Sequence, residues 1–348
     1  MYIKNKSYIL RENSSILEAV SNLSKTGYLI CLIADKSNKL LGTITDGDIR
    51  RGLLAGKTLE DSALDIMTSN PVISSIDCHE NINLELCKKH NISQIPIVDS
   101  QNTIQALYLA KGHDDIENRT NTILIMAGGF GKRMMPLTND LPKPMLEIAG
   151  KPILEHIICN ARSQGFSSFC ISVHYLADKI KDYFQDGAKW GIEIEYIHED
   201  NPLGTAGCIS LFKNKPTEPF IVTNGDLISD INFSAIIDFH NKNHADATMA
   251  VKNQILRNPF GVIETKGIEI LSIKEKPIYH TYINSGIYVL SPETLDYLNI
   301  NEYRDMPDFF LELRKNKYKT IAFPLHESWN DLGEPIDLNK INHNEITE

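Results

Sequence analysis

The sequence predicts an α/β chain of two parts, and three observations predict it. Residues 118–348 alternate short apolar runs with amphipathic stretches, the rhythm of a doubly wound, mixed but mostly parallel sheet. Residues 1–117 instead carry one helix–strand–turn–strand pattern twice, which suggests an α+β module of two stacked units. Between them "KGHDDIENRTN", Lys111 to Asn121, is polar and lacks apolar periodicity, so the boundary is placed there.

Composition narrows the function classes. A chain of 348 residues has room for two domains, and 42% hydrophobic with 23% charged residues is ordinary globular content. A formal charge of -10 argues against nucleic acid or an anionic membrane as the main partner, since both need a broad basic face. It leaves room for a small anionic substrate held by a few cations with Mg2+. The start "MYIKNKSYILRENSS" has no basic segment followed by an apolar one, and no apolar run is long enough to span a bilayer. The six cysteines are scattered without metal or redox spacing, which reads as buried thiols in a reducing, cytoplasmic setting.

In the first part, "SILEAVSNLSKTGYLICLIADKSNKLLGTITDGDIRRGLLAG" gives one copy and "PVISSIDCHENINLELCKKHNISQIPIVDSQNTIQALYL" the other. Each has a helix, an apolar strand ending in Asp (Asp35, Asp99), a polar turn and a second strand. These residues resemble the tandem CBS domain pair, with "DIMTSNPVISS" as the link and "ISQIPIVD" as a core strand. In "GTITDGDIRR", Thr45 and Asp48 fall on the family's adenine-nucleotide positions, where hydroxyl meets phosphate and carboxylate meets ribose. The alternative is a tight turn in which both satisfy local backbone. "ALYLAKGHDD" has no matching Thr and Asp, so the first copy would supply most contacts. The resemblance implies regulation by adenine nucleotide and a homo-oligomer.

In the second part, "TILIMA" is a short apolar run ending in glycine, a strand buried on both faces. Gly128, Gly129 and Gly131 follow it, and glycine amides beside a helix start make a phosphate cradle. A Walker A loop would need Gly at Met126 and Ser or Thr at Arg133. A dinucleotide loop would need Gly at Met134. Both spacings fail.

What remains, Gly128-Gly129-Phe130-Gly131-Lys132-Arg133 with "PLT", "LPKP" and "GKP", resembles the sugar-1-phosphate nucleotidyltransferases. "NPLGTAGCI", "FIVTNGD", "IKEKP", "INSGIYVL", "DMPDFFLEL" and "ESWNDLGEP" continue the likeness in family order, and the fold it implies is Rossmann-like. The reaction implied joins a sugar-1-phosphate to a nucleoside triphosphate with loss of pyrophosphate. The attacking phosphate is already anionic, its second pKa being about 6, so no general base or Ser, Cys or His nucleophile is required. The task is charge neutralisation.

On this resemblance Arg133 clamps the triphosphate and Lys143 neutralises the α-phosphate or the attacker. Gly128, Gly129 and Gly131, with Gly204 and Thr205, bind nucleotide. Asp226 and Asp331 hold Mg2+, and Asp226, Lys276, Arg133 and Lys143 form the catalytic set. Glu275 and Lys276, with Gly261 and Asn284, line the sugar side; for Asn284 simple turn chemistry is the alternative. Glu199, five before Gly204, faces the base edge. A carboxylate only accepts, and guanine offers two adjacent donors where uracil offers one between acceptors, so Glu199 tilts the choice to GTP. UTP, then CTP and ATP, stand behind it, and the alternative for Glu199 is an exposed acid in "HEDN".

The domain order resembles guanylyltransferases for glucosamine-1-phosphate in legionaminic acid synthesis, which feeds cell-surface glycans, with mannose-1-phosphate enzymes close behind. An inert nucleotide-binding regulator is a rival that the intact Arg133, Lys143, Asp226, Lys276 and Asp331 oppose. An added acyltransferase would bring glycine-punctuated hexapeptide repeats, and the sequence contains none.

Overall fold

A computed structural model describes residues 1–90, 92–110 and 118–334. The chain divides into two compact units, Met1–Asp115 and Ile116–Glu348. Residues 111–117 of the expected seam lie outside the described residues, as do 335–348.

The N-terminal unit is an internal repeat. An offset of 64 separates the starts of the helices Ile16–Thr26 and Glu80–His90. The same offset separates the strands Ile30–Ala34 and Gln94–Val98, and the strands Leu40–Thr45 and Ile104–Leu109. Within each copy the first strand pairs antiparallel with the second, and both pairs carry an irregularity at the same place, Ile33/Ala34 and Ile97/Val98. The turns repeat in detail: Asp35 accepts from the Ser37 and Lys39 N–H groups, and Asp99 from Gln101 and Thr103. Asn38 and Asn102 both sit at φ 62°, a left-handed turn position that Asn tolerates. The copies join reciprocally, Leu40 N–H to Asn102 carbonyl and Ile104 N–H to Asn38 carbonyl. Ser15 and Glu18 cap the Ile16–Thr26 helix, and Gly27 at φ 68° ends it.

The C-terminal unit is built on seven strands in the order Glu193–His198, Ser168–Val173, Ile123–Met126, Phe220–Asn224, Ile278–Leu290, Ala247–Arg257, Thr320–Leu325. Ile278–Leu290 runs antiparallel to both neighbours, while the other pairings in this sheet are parallel. Alternate side chains enter opposite cores. Ile123 and Ile125 pack with the helices Ile153–Ser163, Ala177–Phe184 and Phe233–Lys242, while Leu124 faces the helix Met306–Lys315. With both faces covered, the central strand Ile123–Met126 is apolar throughout, and each buried Phe or Ile contributes about 1.5–3 kcal/mol.

Ile123–Met126 has Ser168–Val173 on one side and Phe220–Asn224 on the other. The chain therefore leaves this strand in opposite directions across the sheet, and a crevice opens beyond its carboxyl end. The glycine loop is the first segment to reach that crevice.

Candidate active site

The crevice is a cleft of about 380 Å³. Its lining includes Gly128, Gly129, Gly131, Arg133, Lys143, Glu199, Gly204, Thr205 and Asp226. Nine of the expected site residues, drawn from five separate stretches of sequence, thus share one cavity.

Gly131 shows why the loop is glycine there. Its φ is 61°, and a Cβ would stand 3.0 Å from Thr138 Cγ2 and 3.2 Å from Lys143 Cβ. A Cβ on Gly129 would meet nothing within 4 Å, so this amide borders open space. Arg133 follows on the short turn Lys132–Met134 and is exposed. Phe130 lies edge-on to His174 at 5.4 Å and adds an aromatic wall that sequence reasoning missed.

Lys143 is buried, and its ammonium is bonded to the Asp226 carboxylate. Asp226 sits in the turn after Phe220–Asn224, with its side chain 26% exposed. Asn224, another missed residue, lines the same cleft, and its buried Oδ1 has no hydrogen-bond partner. A carboxylate and a spare carbonyl oxygen form a hard donor set, which suits a Mg2+ that takes its other ligands from phosphates and water. Asp331 approaches by another route: the strand Trp329–Asp331 pairs antiparallel with Leu227–Ser229 and sets Asp331 opposite Leu227, next to Asp226. Gly333, not Asp331, is among the cleft-lining residues.

In the same lining, Glu199 is 6% exposed, with one carboxylate oxygen accepting from Ser172 Oγ and the other from the Leu203 N–H at 3.0 Å. It is not the exposed acid that its acidic neighbours suggested. Gly204 has φ 78°, and a Cβ there would stand 2.6 Å from the Arg304 carbonyl oxygen. The Thr205 hydroxyl accepts from the Met306 N–H at 2.7 Å and lies 3.3 Å from Asp305 Oδ1, tying the cleft wall to the Met306–Lys315 helix. Cys208 also lines the cleft, and burial together with the Glu199 charge pushes its thiol pKa up, which disfavours the thiolate form.

The sugar-side residues lie outside this lining. Gly261 and Glu275 are neighbours, with a Cβ on Gly261 standing 3.0 Å from Glu275 Oε2, at the exposed base of a separate two-stranded sheet, Val262–Lys266 and Glu269–Lys274. Lys276 follows with φ 42°. Asn284 donates to the Tyr288 hydroxyl at 2.7 Å and accepts from the Gly286 N–H. In the N-terminal unit Thr45 and Asp48 are mutually bonded: the Thr45 N–H and hydroxyl both donate to Asp48 Oδ2, and Arg51 and Thr68 reach Oδ1. The local turn chemistry considered for this pair is therefore present.

The nucleotidyl transferase family profile matches residues 122–348, which is well over half of the chain. The chain belongs to the nucleotidyl transferase family. The CBS domain profile matches residues 3–55, the first of the two repeated copies. Among curated relatives, a mannose-1-phosphate guanyltransferase of Yarrowia lipolytica is 34% identical over 62% of this chain and 61% of its own length. A UTP--glucose-1-phosphate uridylyltransferase of Synechocystis sp. is 32% identical over 62% of this chain and 60% of its own. The chain thus spans about 60% of these relatives' length. Among solved structures, HddC from Yersinia pseudotuberculosis complexed with GMP-PN is 26% identical with a TM-score of 0.50, over 65% of this chain and 100% of that one. No helix among the described residues is long and apolar enough to cross a membrane.

Proposed function

We propose that this nucleotidyl transferase joins GTP to a sugar-1-phosphate, glucosamine-1-phosphate or mannose-1-phosphate, releasing pyrophosphate. One observation carries the reading: a single cleft is lined by the cations Lys132, Arg133 and Lys143 and by a buried carboxylate, Glu199, which lies against Gly128 of the glycine loop. The cations suit phosphates; the carboxylate suits the two adjacent donors of guanine. The guanyltransferase relative and the GMP-PN complex of HddC support the same base. The uridylyltransferase relative makes UTP the second reading.

The chemistry asked of the chain is electrostatic. The sugar phosphate brings its own anionic nucleophile, so transfer proceeds directly, without a covalent enzyme intermediate. Glycine-loop amides and Arg133 orient the triphosphate. Lys143 offers its ammonium where charge builds at the α-phosphate. Mg2+, when bound, supplies further neutralisation of the phosphate charge, with Asp226 and Asp331 to hold it. Gly261, Glu275, Lys276 and Asn284 are assigned to the sugar.

The remaining assignments extend the same reading: residues 1–117 as a tandem CBS regulatory module, residues 118–348 as the catalytic domain, adenine nucleotide at Thr45 and Asp48, a cytoplasmic homo-oligomer. The test is pyrophosphate release with four nucleoside triphosphates crossed against glucosamine-, N-acetylglucosamine-, mannose- and glucose-1-phosphate. Preference for GTP with glucosamine- or mannose-1-phosphate supports the proposal. Preference for another base or sugar replaces it.

A further inference from the structure

Glu199 lines the cleft and is held from behind. Its N–H donates to the Val173 carbonyl at 3.0 Å, and its own carbonyl lies 2.7 Å from His174 Nδ1. Its carboxylate receives the Ser172 hydroxyl on Oε1 and the Leu203 N–H on Oε2. None of the ion pairs among the described residues includes Glu199. A buried carboxylate without a cation depends on hydrogen-bond donors, and each oxygen has room for one more.

Ser172 is fully buried on the strand Ser168–Val173, and it is not among the cleft-lining residues. Its hydroxyl therefore meets Glu199 from behind the cleft lining, with the Cys208 thiol as a second hydrogen-bond partner. Gly128 packs against the same group: a Cβ there would stand 2.8 Å from Glu199 Oε1 and 3.3 Å from His174 Cβ. The oxygen that Ser172 grips occupies space that only glycine leaves free.

We infer that Ser172 is a positioning residue for base selection, which fixes the rotation of the Glu199 carboxylate so that both oxygens present a free lone pair to the adjacent N1–H and N2–H groups of a guanine. This rests on the guanylyl reading of the cleft. Two protein donors and two base donors then satisfy the carboxylate. A uracil edge would set a carbonyl against one of its oxygens, a repulsion that a freely turning carboxylate could relieve. Ser172 acts by denying that freedom.

The test compares kcat/KM for GTP, ITP and UTP in the full chain and in Ser172→Ala, with Ser172→Thr restoring a hydroxyl. ITP lacks only the N2 amino group, so the GTP:ITP ratio reads the second hydrogen bond. We expect the wild-type ratio to be about tenfold or more and to fall toward about one in Ser172→Ala, through KM rather than kcat. The Thr variant should recover much of it. A wild-type ratio near one, or a ratio that Ser172→Ala leaves unchanged, overturns the inference. If the wild type prefers UTP, the guanylyl reading fails first, and this inference with it. Should Ser172→Ala not fold, Gly128→Ala, which crowds the same oxygen, must lower the GTP:ITP ratio; an unchanged ratio there overturns the proposal equally.

Discussion

Lys143 and Asp226 stand 83 positions apart in sequence and form a direct ion pair inside the cleft. The pair puts the cation expected to meet phosphate on the carboxylate expected to meet metal. Each neutralises the other in the pair, and on the proposed function substrate phosphates would draw Lys143 away. Removing either member should therefore harm the transition state more than binding. We expect Lys143→Ala to lower kcat by about 10²–10³ with a smaller change in KM for GTP, measured as steady-state pyrophosphate release. Asp226→Asn should cost a similar factor and raise the Mg2+ concentration needed for half-maximal rate.

Arg133 is exposed at the cleft, on the turn that begins just after Gly131. Its planar fork can grip two phosphate oxygens at once, whereas a lysine is a single point charge. Arg133→Lys should lower kcat/KM for the triphosphate by about 10-fold to 100-fold and leave the melting temperature unchanged. Thermal melts beside kinetics check both halves of the expectation.

His240 gives the C-terminal unit a built-in acid sensitivity away from the cleft. It is 1% exposed, with Nδ1 2.8 Å from Thr248 Oγ1 and Nε2 3.0 Å from Ser291 Oγ. Burial lowers its pKa to about 4, against 6.5 for a free imidazole, with Asp246 opposing weakly. The unfolded chain therefore binds this proton first. The stability that neutral His240 contributes is complete above pH 6.5, declines as pH falls below it, and is gone below about 4. The total is of order 3 kcal/mol. Urea denaturation from pH 7.5 to 4 should show this loss, and His240→Gln should flatten it.

The N-terminal unit yields a separate expectation. Asp48 is 5% exposed and collects bonds from Thr45, Arg51 and Thr68. Replacing it with Ala removes these anchors from the start of the Asp46–Leu54 helix, so that unit should lose about 1–2 kcal/mol. The same change should abolish any response of activity to ATP or AMP. Identical kinetics with and without these nucleotides, in the full chain and after removal of residues 1–117, would discard the regulatory role.

Much of this was legible in the sequence, because local signals carried it. The glycines after "TILIMA" marked the loop, the apolar runs marked the buried strands, and the paired Asp35 and Asp99 marked the repeat. Contacts between distant residues left no such trace. The hydroxyl of Ser172 meets Glu199 across 27 positions, and Thr205 meets Asp305 across 100. Neither spacing has a period that a helix or strand would impose. The direction of Ile278–Leu290 was hidden for a related reason: an apolar strand reads the same whichever way it runs. Asp331 was found as a family landmark, while the strand pairing that brings it beside Asp226 came only with the fold.

Exchange of labelled pyrophosphate into GTP tests the central claim, that this cleft joins two phosphorylated molecules directly. Exchange should be absent with enzyme, GTP and Mg2+ alone, and should appear once the sugar-1-phosphate is added. Exchange without any sugar phosphate would reveal a guanylyl group parked on the protein, and that result would contradict the account.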